Sequence, residues 1–174
     1  MTKPTPLRRG DTVAITAASG PVNPEKLSAG IKILESMGLT VHVTESCRTA
    51  HEYLAAPDNI RLRDLHSAFA DKKIKAIFMA RGGYGSARLL PHLNIPLIRD
   101  NPKIFAGYSD TTALHTVLNQ SANLITYHAP MPAADLPTAD ETTLKFFEQA
   151  LFENQNLGGE PFCSQKGSPP NPLS

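Results

Sequence analysis

The chain has 174 residues, of which 41% are hydrophobic and 19% charged, and this length and composition predict a single globular domain with one core. Its 17 basic and 16 acidic residues are interleaved and leave a formal net charge of +1, so no strongly basic surface for nucleic acid or anionic lipid stands out. Cys47 and Cys163 are too isolated to form a disulfide framework or a zinc site. We therefore expect a small-molecule partner, with no metal, nucleic acid or membrane involved.

The amino-terminal segment, residues 1–11, is rich in proline and charge and lacks the apolar run of a signal peptide. No stretch of about 18 consecutive apolar residues follows it. Together with the two isolated cysteines, these features favour a cytoplasmic protein.

The first half of the chain predicts strands alternating with helices. The β-branched run 12–16 predicts a strand, and Asn23 followed by Pro24 predicts the start of a helix. A second strand is predicted at 41–44, and Asp58 is expected to cap a second helix. The apolar faces of these helices recur at spacings of three and four residues: Leu27, Ile31 and Leu34, then Leu62, Leu65 and Phe69.

The second half continues the alternation. Apolar runs predict three more strands, at 76–80, 103–106 and 124–127. A short helix is expected at 86–90, and Thr138 and Glu141 have the spacing of a capping box at the start of the last helix. The longer helices carry Leu114, Val117 and Leu118, then Leu144, Phe147 and Leu151. This order predicts an α/β fold: an open, doubly wound, mostly parallel sheet, flavodoxin-like in three layers, with helices on both faces.

Candidate chemistry lies in the loops that follow the predicted strands. In an open parallel sheet, ligands bind beyond the carboxyl ends of the strands, and these ends share one edge. The loops 18–21, 81–85 and 107–110 and the residue His128 all follow predicted strands. We therefore expect them to lie close together.

Ser109 lies where a strand turns into a helix, in the segment 107–110. Such a turn lifts the hydroxyl out of the sheet and leaves the N–H of Asp110 unpaired in the first helical turn, where it can donate to an oxyanion. These features predict a nucleophilic serine. The G-x-S-x-G pattern of such turns lacks its last glycine, because Thr111 occupies that position, and the alternative is a serine that only caps the helix.

The segment 81–85, Arg-Gly-Gly-Tyr-Gly, places glycines where backbone must approach a ligand closely. The guanidinium of Arg81 could bind a carboxylate through two N–H groups. The alternatives are a flexible turn or a phosphate-binding loop, although neither the dinucleotide-binding nor the P-loop glycine spacing is present.

Spacing identifies no general base for Ser109. His115 lies six residues further along the same helix, where its side chain points away from the serine, and we predict a packing or surface residue. Asp110 is better placed to stabilise a helix N-terminus, and His128 is either a base or a hydrogen-bonded structural residue. Because a serine without an oriented base is a weak nucleophile, the site is predicted to be incomplete.

Taken together and in order, the segments ARGGYG (80–85), GYSD (107–110) and HAPM (128–131) resemble the N-terminal domain of the serine L,D-carboxypeptidase family, also called muramoyltetrapeptide carboxypeptidases. The resemblance covers residues 5–153. It implies a cytoplasmic serine hydrolase of peptidoglycan recycling, which removes the terminal D-alanine from a murein tetrapeptide without metal or cofactor.

The resemblance also implies roles for individual residues. Ser109 is expected to be the acylated nucleophile, and the N–H groups of Asp110 and Gly83 are expected to form the oxyanion hole. The residues expected to bind substrate are Arg81, Gly82, Tyr84, Ser19 and His128. Family members complete the triad with Glu and His from a second, C-terminal domain.

Residues 1–153 are expected to form the nucleophile domain, and the C-terminal domain does not appear after Phe152. Residues 154–174 show no periodic apolar pattern and are interpreted as an irregular linker or an out-of-frame tail. We therefore expect a truncated chain that hydrolyses nothing at a useful rate by itself.

Two alternatives stay open. An immunity-type relative, which cleaves acyl-sulfamate or peptidyl-adenylate antibiotics, would share the serine motif. A non-catalytic remnant or binding module is the other alternative, and the surface left uncovered by the missing domain predicts a homodimer or aggregation.

Overall fold

The structure, a computed structural model, describes residues 1–153. Within this range five strands form one open sheet, all of them parallel, in the order β2-β1-β3-β4-β5. The strands are β1 (Thr12–Thr16), β2 (Thr40–Val43), β3 (Ile74–Met79), β4 (Ile104–Gly107) and β5 (Tyr127–His128). This is the doubly wound, flavodoxin-like order, and it confirms the predicted fold class.

Helices cover both faces of the sheet. They are α1 (Pro24–Ser36), α2 (Asp58–Ala70), α3 (Ile95–Asp100), α4 (Thr112–Ala122) and α5 (Glu141–Phe152), with 3₁₀ turns at Glu45–Cys47, Ser86–His92, Ser109–Thr111 and Leu136–Thr138. No helix among residues 1–153 has the length and apolar character needed to cross a membrane.

Two hydrophobic cores lie on opposite faces of the sheet, because successive strand residues point to opposite sides. Val13 and Ile15 pack in the core beneath α1 and α5, and Ala14 packs in the core beneath α2, α3 and α4. Strands β1, β3 and β4 are largely buried on both faces, which explains why they read as continuous apolar runs, whereas β2 at the edge of the sheet is partly exposed.

The strand order places a crevice beside β1. The chain leaves β1 for β2 on one side and returns to β3 on the other, so the loops after β1 and β3 separate at a topological switch point. In open α/β sheets this is where ligands bind. The loop after β4 lies next to the loop after β3, because these two strands are paired.

The fifth strand differs from its prediction. The run 124–127 was expected to be a strand, but only Tyr127 and His128 pair with β4. The N–H of Leu124 donates to Leu118 at the end of α4, and the N–H of Ile125 donates to the carbonyl of Thr2. The first part of the run therefore joins the amino-terminal segment instead of the sheet.

Two helix starts were also predicted wrongly. Pro57 occupies the N-cap of α2, so Asp58 is the first helical residue and not the cap. For α5 the cap is Asp140, whose carboxylate accepts from the N–H of Thr143 at 2.7 Å, whereas Thr138 belongs to the preceding 3₁₀ turn. Asp140 is a residue type that also fits the capping pattern, whereas Pro57 does not fit it and makes no side-chain cap.

Helix α3 was not predicted. Its N-cap is Asn94, whose side chain accepts from the N–H of Leu97 at 3.0 Å, and Pro96 lies in its first turn. This cap and proline form a start signal that the sequence carries. The helix is short, so its apolar pattern gives little periodicity to detect.

Candidate active site

The loops after β1, β3 and β4 meet as predicted at the carboxyl edge of the sheet and border a cleft of about 430 Å³. The segment after β5 closes another side. The cleft is lined by Asn23, Lys26, Arg81, Gly82, Gly83, Tyr108, Ser109, Met131, Ala133 and Ala134. A second cavity, of about 400 Å³, lies near Lys103 and contains none of the residues predicted to act in the site.

Ser109 occupies the turn between β4 and α4. Its φ of 64° lies in the left-handed region, which a residue with a side chain rarely adopts. The residue is exposed, and it begins the 3₁₀ turn that leads into α4. The N-cap of that turn is Tyr108 and that of α4 is Thr111, so the alternative of Ser109 as a helix cap is wrong. The conformation is that of a nucleophile elbow.

Gly82 lies directly against the Ser109 side chain. A Cβ atom at Gly82 would lie 2.9 Å from the Cβ and 3.0 Å from the Oγ of Ser109. Only glycine allows this approach without displacing the serine. The backbone of the glycine loop therefore forms one wall of the space in front of the Ser109 hydroxyl.

Gly83 follows with a φ of 130°. The carbonyl of Gly82 accepts from the N–H of Gly20 at 3.3 Å and from Nε of Arg81 at 3.1 Å. Because the peptide is trans, the N–H of Gly83 points the opposite way, away from Gly20. Within residues 1–153, the N–H groups of Gly83 and Asp110 donate to no protein acceptor. Two free backbone donors thus belong to the loop and the turn beside Ser109.

The Asp110 carboxylate joins the three loops. It accepts from Oγ of Ser19 at 2.6 Å and from the N–H of Ser86 at 2.9 Å, and the Asp110 carbonyl accepts from Oγ of Ser86 at 2.5 Å. Ser19 and Ser86 are fully buried. Asp110 does stabilise a helix N-terminus, but that of the 3₁₀ turn starting at Ser86 rather than its own.

Arg61 is a buried positioning residue that our sequence reasoning missed. Its Nε donates to the carbonyl of Ala56 at 2.9 Å, and its Nη1 donates to the carbonyls of Ala18 and Gly85. Its Nη2 pairs with Asp58. The guanidinium is fully buried and ties the loop after β1 to the loop after β3.

A signal for Arg61 was present in the sequence. It precedes Leu65 by four residues and Phe69 by eight, so it falls on the apolar stripe of α2. A charged residue on such a stripe is rarely buried without partners. What the sequence does not show is that most of these partners are backbone carbonyls.

The structure brings only some of the predicted substrate-binding residues into the cleft. Arg81 and Gly82 line it, and Nη1 of Arg81 also donates to the carbonyl of Pro21 at 3.2 Å. Tyr84 is 78% exposed and does not line the cleft. Ser19 is buried behind it, and its hydroxyl is used by Asp110. Substrate contacts by Tyr84 and Ser19 stay predictions.

Neither histidine near the turn faces Ser109 from the cleft lining. His115 is buried, its Nε2 lies 2.9 Å from the carbonyl of Gly107, and its ring packs edge-on to Phe105, which confirms a packing role. Burial lowers the pKa of His115. His128 is exposed, with its ring 5.4 Å from that of Tyr108, and its substrate-binding role stays a prediction.

The described lining of the cleft includes Ser109, the predicted nucleophile, but no side chain of the usual general-base types, histidine and carboxylate. None of the residues between 1 and 153 that line it is His, Asp or Glu. Cys47 is no competing nucleophile, because it is buried away from the cleft and burial raises the pKa of its thiol to about 12. The described lining therefore offers no histidine or carboxylate to accept a proton from Ser109.

Residues 13–129 match the peptidase family S66, described as the LD-carboxypeptidase N-terminal domain. A Bacillus subtilis (strain 168) protein named "Probable murein peptide carboxypeptidase" is 43% identical over 138 residues, which cover 79% of this chain and 43% of that protein.

Two crystal structures share the fold. An MccF-like protein from Bacillus anthracis str. Ames superimposes with a TM-score of 0.83 at 33% identity, covering 87% of this chain and 47% of that one. A muramoyltetrapeptide carboxypeptidase from Oxalobacter formigenes has a TM-score of 0.73 at 30% identity, covering 80% and 47%.

The present chain spans less than half the length of each of these relatives. The match nevertheless covers most of the described residues, and it includes the glycine loop and the Ser109 turn. The chain therefore belongs to the S66 LD-carboxypeptidase family, whose N-terminal domain it matches.

Proposed function

We propose that this chain is the nucleophile-bearing half of a serine LD-carboxypeptidase that removes the terminal D-alanine from a murein tetrapeptide in peptidoglycan recycling. Membership of the S66 family and the names of the relatives support the reaction class. The observation that carries the proposal is the strained Ser109, with φ at 64° and Gly82 against its Oγ.

In the proposed reaction, Oγ of Ser109 bonds to the scissile carbonyl carbon as its proton passes to a base. The carbonyl π-electrons move onto oxygen, and the N–H groups of Asp110 and Gly83 donate to the resulting oxyanion. When the carbonyl re-forms, the C–N bond breaks and the D-alanine nitrogen takes up a proton. Water then hydrolyses the acyl-enzyme. A serine route of this kind requires neither metal nor cofactor.

The base is proposed to be a histidine oriented by a glutamate, both from the second domain of a complete family member. The described lining of the cleft offers no such group, and residues 154–174 contain no histidine. Losing the base of a serine triad lowers kcat by several orders of magnitude. We therefore propose that the chain by itself releases D-alanine at no more than background rate.

The test measures D-alanine release from murein tetrapeptide by two proteins. One is the 174-residue chain, and the other is this chain fused to the part of the Bacillus subtilis relative that follows the matched region. We expect release by the fusion, loss of that release in the fusion carrying Ser109→Ala, and background release by the chain. A folded fusion that releases no D-alanine would overturn the proposed reaction, and Ser109-dependent release by the unfused chain would overturn its dependence on a second domain.

A second candidate is cleavage of acyl-sulfamate or peptidyl-adenylate compounds by an immunity-type enzyme. It is favoured by the TM-score to the MccF-like protein, 0.83, which exceeds the 0.73 to the muramoyltetrapeptide carboxypeptidase. Against it, the curated relative with 43% identity is named for murein peptides. Offering both substrate classes to the fusion in competition would separate the two, because the preferred class has the larger kcat/KM.

A further inference from the structure

The cleft beside Ser109 is lined by two cations and no anion among the described residues. Lys26 comes from the first turn of α1, and Arg81 comes from the loop after β3. The carboxylates of Asp110 and Asp135, on residues next to lining residues, have other hydrogen-bond partners. Asp110 is held by Ser19 and Ser86, and Asp135 accepts from the N–H of Met131 at 3.3 Å. The side chains that line the cleft therefore carry positive charge only, which suits an anionic group.

The two cations differ in what they already bind. Arg81 uses Nε for the carbonyl of Gly82 and Nη1 for that of Pro21, so part of its guanidinium holds the loops in place. Lys26 is exposed, and within residues 1–153 its ammonium donates to nothing. Its backbone N–H is bound by the Asn23 side chain at 2.9 Å, which fixes the turn that carries it. The three N–H donors of the Lys26 ammonium are thus free to bind a ligand.

The proposed substrate supplies an anion at a fixed distance from the reacting carbon. In a peptide ending in D-alanine, the terminal carboxylate carbon is three bonds from the scissile carbonyl carbon, within roughly 4 Å. When that carbonyl is at Ser109, the carboxylate must lie in or at the rim of this cleft. This terminal carboxylate also distinguishes the substrate of a carboxypeptidase from a peptide that is cleaved at an internal bond.

We infer that Lys26 binds the terminal carboxylate of the peptide substrate and thereby restricts cleavage at Ser109 to the last residue. This inference rests on the proposed function. Lys26 is a specificity-determining residue here, and Arg81 adds positive charge to the same lining. A charge-assisted hydrogen bond of this kind lets the site discriminate an acid from the uncharged amide of the same shape.

The test uses the 174-residue chain and two ligands, a murein tetrapeptide with a free D-alanine carboxylate and the same peptide with that carboxylate converted to an amide. Binding of both is measured by NMR titration for wild type, Lys26→Met and Lys32→Met. Lys32 is an exposed residue of α1 that does not line the cleft, so its variant removes the same charge elsewhere. Lys26→Arg tests whether a cation at this position suffices.

We expect the wild-type chain to bind the acid about tenfold more tightly than the amide, since a hydrogen bond to a charged group contributes at about that level. Lys26→Met should remove this preference, while Lys32→Met and Lys26→Arg keep it. Equal binding of acid and amide by the wild type, or a preference that survives in Lys26→Met, would overturn the inference and leave the proposed function standing. Failure of the wild type to bind either peptide would also overturn the inference, whereas the proposed function is decided separately by D-alanine release from the fusion.

Discussion

Ser109 combines an exposed hydroxyl with a backbone conformation that costs on the order of 1–3 kcal/mol for a residue with a side chain. The surroundings maintain it. The next residue, Asp110, is held by hydrogen bonds to two buried serines, and Gly82 packs against the Ser109 side chain. Strain that neighbouring contacts enforce in this way is typical of nucleophiles that must project from a sheet.

At the same scale, Gly82→Ala is expected to disable the site without unfolding the domain. The added methyl would lie 2.9 Å from the Cβ of Ser109, so the serine or the glycine loop must move. A displacement of about 1 Å lowers catalysis roughly 100-fold, and we expect that loss in D-alanine release by the fusion protein. Circular dichroism of the variant should be unchanged. A folded Gly82→Ala fusion with the full rate would contradict the packing of Gly82 against Ser109.

The loops at the site are held by groups on separate elements. Arg61 of α2 binds the backbone of the loops after β1 and β3. Asp110, in the turn after β4, binds the same two loops. In the loop after β3, a Cβ at Gly85 would lie 3.0 Å from Nη1 of Arg61, and its φ is 119°. The glycine is thus required by the turn and by its close neighbours, of which Leu54 lies even nearer than the buried guanidinium.

Arg61→Met is expected to destabilise the domain by about 3 kcal/mol, because it leaves buried carbonyls without a donor and Asp58 with one fewer cation. The free energy of unfolding is measured with urea on the 174-residue chain. Arg63→Met is the matched control on the same helix. Arg63 is 54% exposed in its ion pairs with Glu45 and Asp64, and its loss should cost less than about 1 kcal/mol. Equal losses in the two variants would contradict the role of Arg61.

The connection between α2 and α3 predicts a pH dependence. Nε2 of His66 accepts from the N–H of Asn94, the N-cap of α3, at 3.0 Å, and burial lowers the pKa of His66 below its usual value of 6.5. The unfolded chain therefore binds a proton at a higher pH than the folded chain does. Stability should be fully present above pH 6.5 and fall as the pH drops below it, until the folded-state pKa is passed. Burial shifts the pKa of His115 the same way.

The check compares the free energy of unfolding, measured with urea, at about pH 7.5 and about pH 5.5. Carboxylates titrate below this pH window. In His66→Gln the side chain can still accept the N–H of Asn94 but cannot bind a proton, so the stability lost between the two pH values should shrink. His42→Gln, at an exposed position of β2, is the control and should behave like wild type. A His66→Gln variant with the wild-type pH response would refute this assignment.

For the whole molecule, the carboxyl edge of the sheet carries both the cleft and exposed aromatic residues. Among the described residues, Tyr53 is 56% and Tyr84 78% exposed, on loops that flank the site. Ala55, close to Tyr53, donates its N–H to the carbonyl of Ser19, which places this loop beside the one after β1. The relatives are longer than this chain, and their additional residues are available to cover such an edge.

We expect the 174-residue chain to self-associate through this edge, because exposed aromatic side chains lose unfavourable contact with water on association. Sedimentation velocity should show a concentration-dependent increase in mass. The double substitution Tyr53→Ser and Tyr84→Ser should reduce it, whereas Phe146→Ser, at a 50% exposed position on α5, should not. A chain that stays monomeric at all concentrations would contradict this expectation, because the exposed edge would then be stable without a partner.

The sequence by itself determined the fold class, because runs of apolar residues separated by amphipathic helices report local structure directly. Strand β1 has the predicted bounds, and the ends of β2, β3 and β4 differ from prediction by one or two residues. The prediction for β5 was wrong in most of its length, since strand pairing depends on which distant segment is adjacent. The expected tail at 154–174 lies outside the described residues.

The sequence likewise identified the turn at Ser109 and the glycine loop, because strand, turn and helix follow one another along the chain. Only the tertiary structure decided what surrounds the hydroxyl. Gly82 against Oγ, Lys26 at the rim and Arg61 beneath the loops all come from distant parts of the chain. Several of the contacts involved are made by backbone N–H and C=O groups, which every non-proline residue carries. Residue types therefore cannot reveal them, and only folding brings them together.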